Sequence, residues 1–328
     1  MISYEDNPDY LNSFLNHISA ILNKSPNTVK EYNYDIARFL KFIKIRFKLT
    51  GETDYEKITI KDISLDTIKK ITLDDIYAFL SYMSNEKHTK STTRARKVSS
   101  IRAFFKYLST KSKLIEINPA QDLETPKLDK RQPKYLSLED SQKLLRTAQS
   151  KDNRNSERDF AILTIFLNCG LRLSELVGIN INDINFSDEK MTVIGKGNKE
   201  RTIYLNKACI NAINNYLKVR PKIGIKDDKQ NSKNALFLSE RCERISRRTV
   251  EYIVNKELKL AGLDIKKYST HKLRHTAATL MYQYGNVDIR ALQEVLGHKS
   301  ISTTEIYTHV ANQQAREAVE NNPLADFK

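Results

Sequence analysis

Apolar residues recur at helical spacing along much of the chain, and this pattern restricts its fold more than any other feature. One stripe runs from Leu11 to Leu22, and a second runs from Val29 to Ile43. Repeats of three and four residues place side chains on one face of an α-helix. Further helices are predicted to begin near Thr72 and near Thr92. The N-terminal part of the chain should therefore be a helical domain.

A proline-containing segment, 118–136, interrupts this helical pattern. It holds three prolines, several charges and no apolar period, which is typical of a linker. With 328 residues the chain is long enough for two compact domains. We predict an N-terminal helical domain at 1–117, a linker at 118–136 and a second domain at 137–328.

Beyond the linker, helical patterns surround one β-hairpin. Two strand-like segments, Met191–Ile194 and Arg201–Leu205, flank a glycine-containing turn. Helices are expected at about 138–148, 158–168, 207–218, 246–260, 271–283, 287–296, 301–308 and 312–320. The predicted fold class is mainly α (α+β), with a small antiparallel sheet in the C-terminal domain.

The charge of the chain predicts a polyanionic partner. Its formal net charge is +15 and its pI is near 9.5, which creates a field that attracts nucleic acid. Basic residues are concentrated on one side of the helix at about 92–108, although an ordinary solvated face is the alternative interpretation. The predicted DNA contacts are Arg94, Arg96, Lys97, Arg102, Lys106, Lys199 and Arg201.

Cysteine usage and hydropathy indicate the compartment. The three cysteines Cys169, Cys209 and Cys242 are far apart and form no Cys-x-x-Cys pair, so neither a disulfide framework nor a thiolate metal cluster is indicated. No apolar run reaches the length of about 18 residues that a membrane helix needs. We expect a soluble protein of the cytoplasm that associates with the nucleoid and has no membrane partner.

Two arginines and a histidine are placed where they can bind a phosphate. Arg172 lies between a helix that ends at Gly170 and a helix that starts near Ser174, and Glu175 is suited to orient it. An arginine donates two hydrogen bonds to phosphate and stays charged. His271 and Arg274 are three residues apart and therefore share one face of a helix.

Three further residues complete a set suited to a phosphodiester. Lys196, at the tip of the hairpin, can protonate a leaving 5′ oxygen. Tyr307 follows His298 and supplies a nucleophile, but its phenol has a reference pKa of about 10 and needs help from neighbouring cations. His271 and His275 also have the spacing of a zinc pair, but Lys272 stands where a metalloprotease has its glutamate base.

Four segments in order, 170–176, 195–201, 271–276 and 296–309, resemble the tyrosine recombinases, the lambda-integrase family, and most closely its bacterial Xer branch. The resemblance covers nearly the whole chain. It implies that 1–117 is a SAM-like core-binding domain, which would form a clamp around DNA together with the catalytic domain. It also implies that Tyr307 is the nucleophile and that the activating residues are Arg172, Lys196, His271, Arg274 and His298.

The resemblance further implies a reaction and a set of partners. Tyr307 would attack the scissile phosphate, and strand exchange would pass through a 3′-phosphotyrosyl intermediate and a Holliday junction. The covalent adduct keeps the bond energy, so neither ATP, a metal nor another cofactor is expected. The expected partners are a double-stranded DNA recombination site, further protomers in a homo-tetramer on two sites or a hetero-tetramer with a second recombinase, and a regulatory DNA translocase.

The expected role is Xer-type chromosome dimer resolution, which serves chromosome partition during cell division. The alternatives are an integrase or transposase of a phage or mobile element, a type IB topoisomerase, and a DNA-binding protein without catalysis. The lack of a separate arm-binding domain favours the chromosomal role. The segment 46–71 is longer than in compact Xer members, and its function stays open.

Overall fold

The chain forms two compact units, 1–130 and 131–328, and each has its own hydrophobic core. The division falls inside the segment 118–136 that was expected to be a linker. The computed structural model describes residues 5–52, 54–127, 134–150, 154–195, 199–221, 230–285, 287–297 and 304, with the backbone alone at 230 and 231.

The first unit is helical, as predicted. Its elements are α1 (Asp9–Ala20), α2 (Pro26–Arg46), α3 (Leu65–Lys69), α4 (Leu73–Asn85), α5 (Ser91–Lys106) and a π-helical segment (Tyr107–Lys111). Thr72 begins α4 with a capping box, because its hydroxyl accepts from the Asp75 amide while the Asp75 carboxylate accepts from the Thr72 amide. The short helix α3 was not predicted.

Aromatic rings fill the core of the first unit. Phe39 of α2 lies edge-on to Phe79 of α4, with the ring centroids 5.3 Å apart, and Phe14 of α1 lies edge-on to Phe104 of α5 at 5.5 Å. Such edge-to-face pairs add stability beyond the area they bury. The apolar stripes predicted from the sequence thus meet in a single core.

One basic residue of α5 is not on its exposed face. Lys97 is only 2% exposed, and its ammonium lies 2.7 Å from the carboxylate of Asp35, which is fully buried. The Ser100 hydroxyl donates to the same carboxylate at 2.8 Å. The prediction that Lys97 lies on the DNA-facing side of the helix is therefore wrong, because its charge is used to join α5 to α2.

The long segment 46–71 packs against α2. The Lys44 ammonium donates to the Thr59 carbonyl at 3.1 Å and binds Asp62 at 2.8 Å. Isoleucines along the segment are buried. Two residues of the expected linker, Ala120 and Leu123, also lie in the first core.

The second unit is mostly helical with a small sheet, which confirms the predicted fold class. Its helices are α6 (Leu138–Gln149), α7 (Ser156–Cys169), α8 (Leu173–Gly178), α9 (Lys207–Val219), α10 (Gln230–Lys233), α11 (Arg247–Leu260), α12 (Thr270–Tyr284) and α13 (Ile289–Leu296), with a 3-10 turn at Ile181–Asp183. The helices predicted at 301–308 and 312–320 lie outside the described residues, apart from 304.

The sheet is antiparallel, with the order β1-β2-β3. Its strands are β1 (Ile184–Asn185), β2 (Lys190–Ile194) and β3 (Glu200–Tyr204). The predicted hairpin corresponds to β2 and β3, which pair from Lys190 with Tyr204 to Ile194 with Glu200. The sequence did not predict β1, because two residues are too few to show an alternating pattern.

Helix α7 is the centre of the second core. It is buried on most sides, and α6, α9, α11 and α12 pack against it. At its C-terminal end the thiols of Cys169 and Cys209 lie 3.7 Å apart, and both are buried. Their hydrogen bond, together with burial, raises the pKa of the Cys169 thiol. Among the described residues, no helix is long and apolar enough to cross a membrane.

Candidate active site

Arg172 occupies a short connection between α7 and α8. Gly170 ends α7 in a left-handed conformation with φ of 59°, where a side chain would be strained. The next turn begins with Arg172 in an extended conformation as the N-cap of α8. This local geometry holds the guanidinium at the junction of two helices, as the sequence predicted.

The carboxylate of Glu175 lies at the centre of the site. It is only 2% exposed, and its Oε1 accepts from Arg172 Nη1 at 2.7 Å. Its Oε2 accepts from the Arg172 amide at 2.7 Å and from Arg201 Nη2 at 3.0 Å. Arg274 Nη1 lies 3.8 Å from the same oxygen. One buried carboxylate thus holds three guanidinium groups, Arg172, Arg201 and Arg274, which we call the arginine cluster.

Backbone carbonyls also hold the arginine cluster. Arg274 donates from Nη1 to the Gly170 carbonyl and from Nη2 to the Leu296 carbonyl, each at 2.6 Å. Arg172 Nη2 donates to the Gly297 carbonyl at 2.9 Å. The two side chains differ in accessibility, because that of Arg172 is 32% exposed and that of Arg274 is 4% exposed.

The end of α13 supplies two of these acceptors. The helix begins after Asp288, whose carboxylate accepts from the amides of Arg290 and Ala291 at 2.7 and 2.8 Å. It ends at Gly297 in a left-handed conformation with φ of 63°. The last carbonyls of a helix have no partner inside the helix, and they carry partial negative charge. They are therefore good acceptors for guanidinium groups.

His271 lies one turn before Arg274 on α12. Its Nε2 is 3.1 Å from Nε2 of His275, so one ring donates and the other accepts. His271 keeps an exposed edge, but partial burial lowers its pKa below the usual value, and the positive charges of Lys272, Arg274 and Arg172 act in the same direction. The ring is therefore neutral at physiological pH.

The base of the hairpin turn lies against Glu175. Gly195 donates its amide to the Lys199 carbonyl at 2.7 Å, and a Cβ on Gly195 would be 3.4 Å from Glu175 Oε1. Lys196, His298 and Tyr307 lie outside the described residues. Within the described part, the structure brings together three of the six predicted catalytic residues.

Those three residues are Arg172, His271 and Arg274. Their partner Glu175 was expected from the sequence, but the carbonyls of Leu296 and Gly297 and the imidazole of His275 were not. Gly297 follows a predicted helix and marks its end, so the sequence did indicate that unpaired carbonyls lie there. The described residues contain no group of three His, Cys, Asp or Glu side chains that fits a metal.

The predicted DNA contacts have different surroundings. Lys106 and Lys199 are exposed, whereas Arg201 points inward with a side chain that is 14% exposed. Arg94 donates to the Thr89 carbonyl and Arg102 to the Leu123 carbonyl. Arg96 binds Glu31 at 2.9 Å as well as Asp35.

The chain matches known proteins along nearly its whole length. Residues 134–314 match the phage integrase family, and residues 10–113 match the N-terminal SAM-like domain of phage integrases. Tyrosine recombinase XerC of Caldanaerobacter subterraneus is 56% identical, over 97% of this chain and 88% of that protein. Tyrosine recombinase XerD of Proteus mirabilis is 36% identical, over 95% and 92%.

Solved structures share the fold. XerH site-specific recombinase bound to palindromic difH substrate has a TM-score of 0.72 and 20% identity, over 95% of this chain and 83% of that chain. The Tn1549 transposon integrase in complex with a circular intermediate DNA has a TM-score of 0.70 and 21% identity, over 95% and 99%.

These matches identify the chain as an enzyme of DNA strand breakage and rejoining. The chain belongs to the phage integrase family. The prediction of a tyrosine recombinase is confirmed by these matches.

Proposed function

We propose that this chain is a Xer-type site-specific recombinase in which Tyr307 cleaves DNA and the arginine cluster holds the scissile phosphate. The observation that carries this proposal is that Glu175 and the carbonyls at the end of α13 hold Arg172 and Arg274 in place. In the sequence, the end of α13 comes directly before His298. A phosphoryl group in transfer needs cations that are already in place when charge develops on its oxygens.

Each residue has a distinct role in the proposed reaction. Arg172 and Arg274 neutralise the non-bridging oxygens, while neutral His271 accepts a proton or a hydrogen bond beside them. Tyr307 attacks phosphorus, the bond to the 5′ oxygen breaks, and Lys196 donates the proton that this oxygen needs. We assign His298 to the activating residues as well. The 3′-phosphotyrosyl bond is then attacked by a 5′ hydroxyl of the partner strand.

We further propose a chromosomal role, namely resolution of chromosome dimers on double-stranded DNA sites. The support is the identity of 56% to a XerC over 97% of the chain and of 36% to a XerD over 95%. Assembly as a tetramer, alone or with a second recombinase, control by a DNA translocase and association with the nucleoid are part of this proposal.

The nucleophile is tested with a nicked duplex that traps the covalent intermediate. Wild-type protein should form an adduct that survives SDS, and Tyr307→Phe should form none, because the phenyl ring lacks the attacking oxygen. Tyr284→Phe is the matched control, since Tyr284 is 67% exposed at the end of α12. Adduct formation by Tyr307→Phe would show that another residue attacks.

The choice of DNA separates the two biological roles. The host's chromosome-terminus recombination site and the ends of resident mobile elements are offered to the wild-type protein in parallel. The chromosomal role requires cleavage of the terminus site, alone or together with a second recombinase. Cleavage of mobile-element ends alone would assign the protein to integration or transposition.

A further inference from the structure

Arg201 of β3 points into the site instead of toward solvent. Its Nη2 donates to Glu175 Oε2 at 3.0 Å, and its Nη1 donates to the Leu296 carbonyl. Burial lowers the pKa of Arg201, while the charge of Glu175 opposes that change. A guanidinium stays charged despite such a shift. Both terminal nitrogens of Arg201 are therefore engaged inside the protein.

Arg201 shares each of its acceptors with another arginine of the cluster. Glu175 also binds Arg172, and the Leu296 carbonyl also accepts from Arg274 at 2.6 Å. Through these two acceptors Arg201 connects β3 to α8 and to the end of α13. This fork geometry suits arginine, because its planar group donates in two fixed directions.

The approach between Arg201 and α13 leaves no room for a side chain. A Cβ at Gly297 would collide with the Arg201 guanidinium, and Gly297 already has a φ of 63°. The chain after α13 thus passes the guanidinium as closely as a glycine backbone permits. A residue that only lined the DNA surface would not need this contact.

We propose that Arg201 is a positioning residue for DNA cleavage. It holds the Glu175 carboxylate and the end of α13, so that Arg172 and Arg274 keep a fixed orientation toward the phosphate. The Gly297 backbone lies directly against its guanidinium, so Arg201 itself makes no contact with DNA. This inference rests on the proposed function of Arg172 and Arg274. It replaces the sequence-based prediction that Arg201 binds DNA.

The test compares Arg201→Ala and Arg201→Lys in the full chain. DNA affinity is measured by fluorescence anisotropy, and single-turnover cleavage of a nicked terminus-site duplex is measured at saturating protein. We expect affinity to stay within about twofold and the cleavage rate of Arg201→Ala to fall about 10²-fold, the loss that a small displacement of catalytic groups produces. Arg201→Lys should keep only part of the cleavage rate, because a single ammonium cannot reproduce the two contacts of a planar guanidinium.

A second readout separates positioning from general damage. Guanidinium ion added to Arg201→Ala should restore part of the cleavage rate, because it can occupy the space between Glu175 and Leu296. The matched control is Lys190→Ala on the same sheet, whose side chain is 43% exposed and pairs with Asp188 at 2.6 Å. It should change neither affinity nor rate.

Three outcomes would overturn the inference. Weaker binding with an unchanged saturating rate would make Arg201 a DNA contact. A lower melting temperature without guanidinium rescue would make it a structural residue, and unchanged cleavage by Arg201→Ala would remove it from the reaction. A wild-type protein that forms no adduct on any candidate site would instead contradict the proposed function itself.

Discussion

Single residues at the site act through shared acceptors. Glu175 is one buried carboxylate that faces three guanidinium groups, so the site keeps excess positive charge for a phosphate. Arg172 is the more accessible of the two predicted phosphate ligands, with a side chain 32% exposed against 4% for Arg274. An incoming phosphate therefore meets Arg172 first.

The neutral state of His271 predicts a pH dependence. Burial and nearby cations lower its pKa, so the ring is neutral above the usual value of about 6.5 and takes up a proton only below it. Single-turnover cleavage should therefore hold its rate above about pH 6.5 and fall as the pH drops through the lowered pKa. His271→Gln should remove this acid limb. If the rate of the glutamine variant still fell at low pH, another group would be responsible for the pH dependence.

At the scale of elements, α5 shows why a helical pattern misassigns some residues. Basic residues on α5 looked alike in the sequence, but Lys97 turns inward because the carboxylate of Asp35 on α2 lies opposite it. No local signal revealed a partner 62 residues away in the chain. Lys106, on the same helix, is exposed as predicted.

The Asp35–Lys97 pair predicts a large loss of stability. Asp35→Ala would leave a buried ammonium without its carboxylate, which costs about 3–5 kcal/mol in the free energy of unfolding. Glu31→Ala is the matched control, because the Glu31 side chain is 57% exposed and pairs with Arg96 in the same region. Its cost should be at most about 1 kcal/mol. Urea unfolding followed by circular dichroism compares the two, and equal losses would contradict the buried-pair assignment.

For the whole molecule, the charge of +15 predicts steep salt dependence of DNA binding. A protein that contacts roughly six to ten phosphates loses about 10³ to 10⁵ in affinity between about 50 and about 200 mM salt. Lys106→Ala should reduce the slope of log affinity against log salt by about one. Anisotropy titrations measure both, and a flat response would argue against an extended phosphate contact.

Most of the longer helices and the loop position of Arg172 were predictable because each depends on local spacing. Helical stripes fixed α1, α2 and α4, and a glycine with a following serine marked the loop of Arg172. Glu175 was predictable as a partner of Arg172, but the pairing of the cluster with backbone acceptors was not. The glycine after Leu296 marks a helix end, but no sequence pattern connects the Leu296 carbonyl with Arg201, which is 95 residues away in the chain.

The cysteine pair beside Arg172 has a practical consequence for experiments. Cys169 and Cys209 are buried, and thiol reagents attack exposed thiolates, so a maleimide dye is directed to the partly exposed Cys242. The native protein therefore offers one attachment point for a fluorophore. Single molecules can then be followed on DNA without an engineered cysteine.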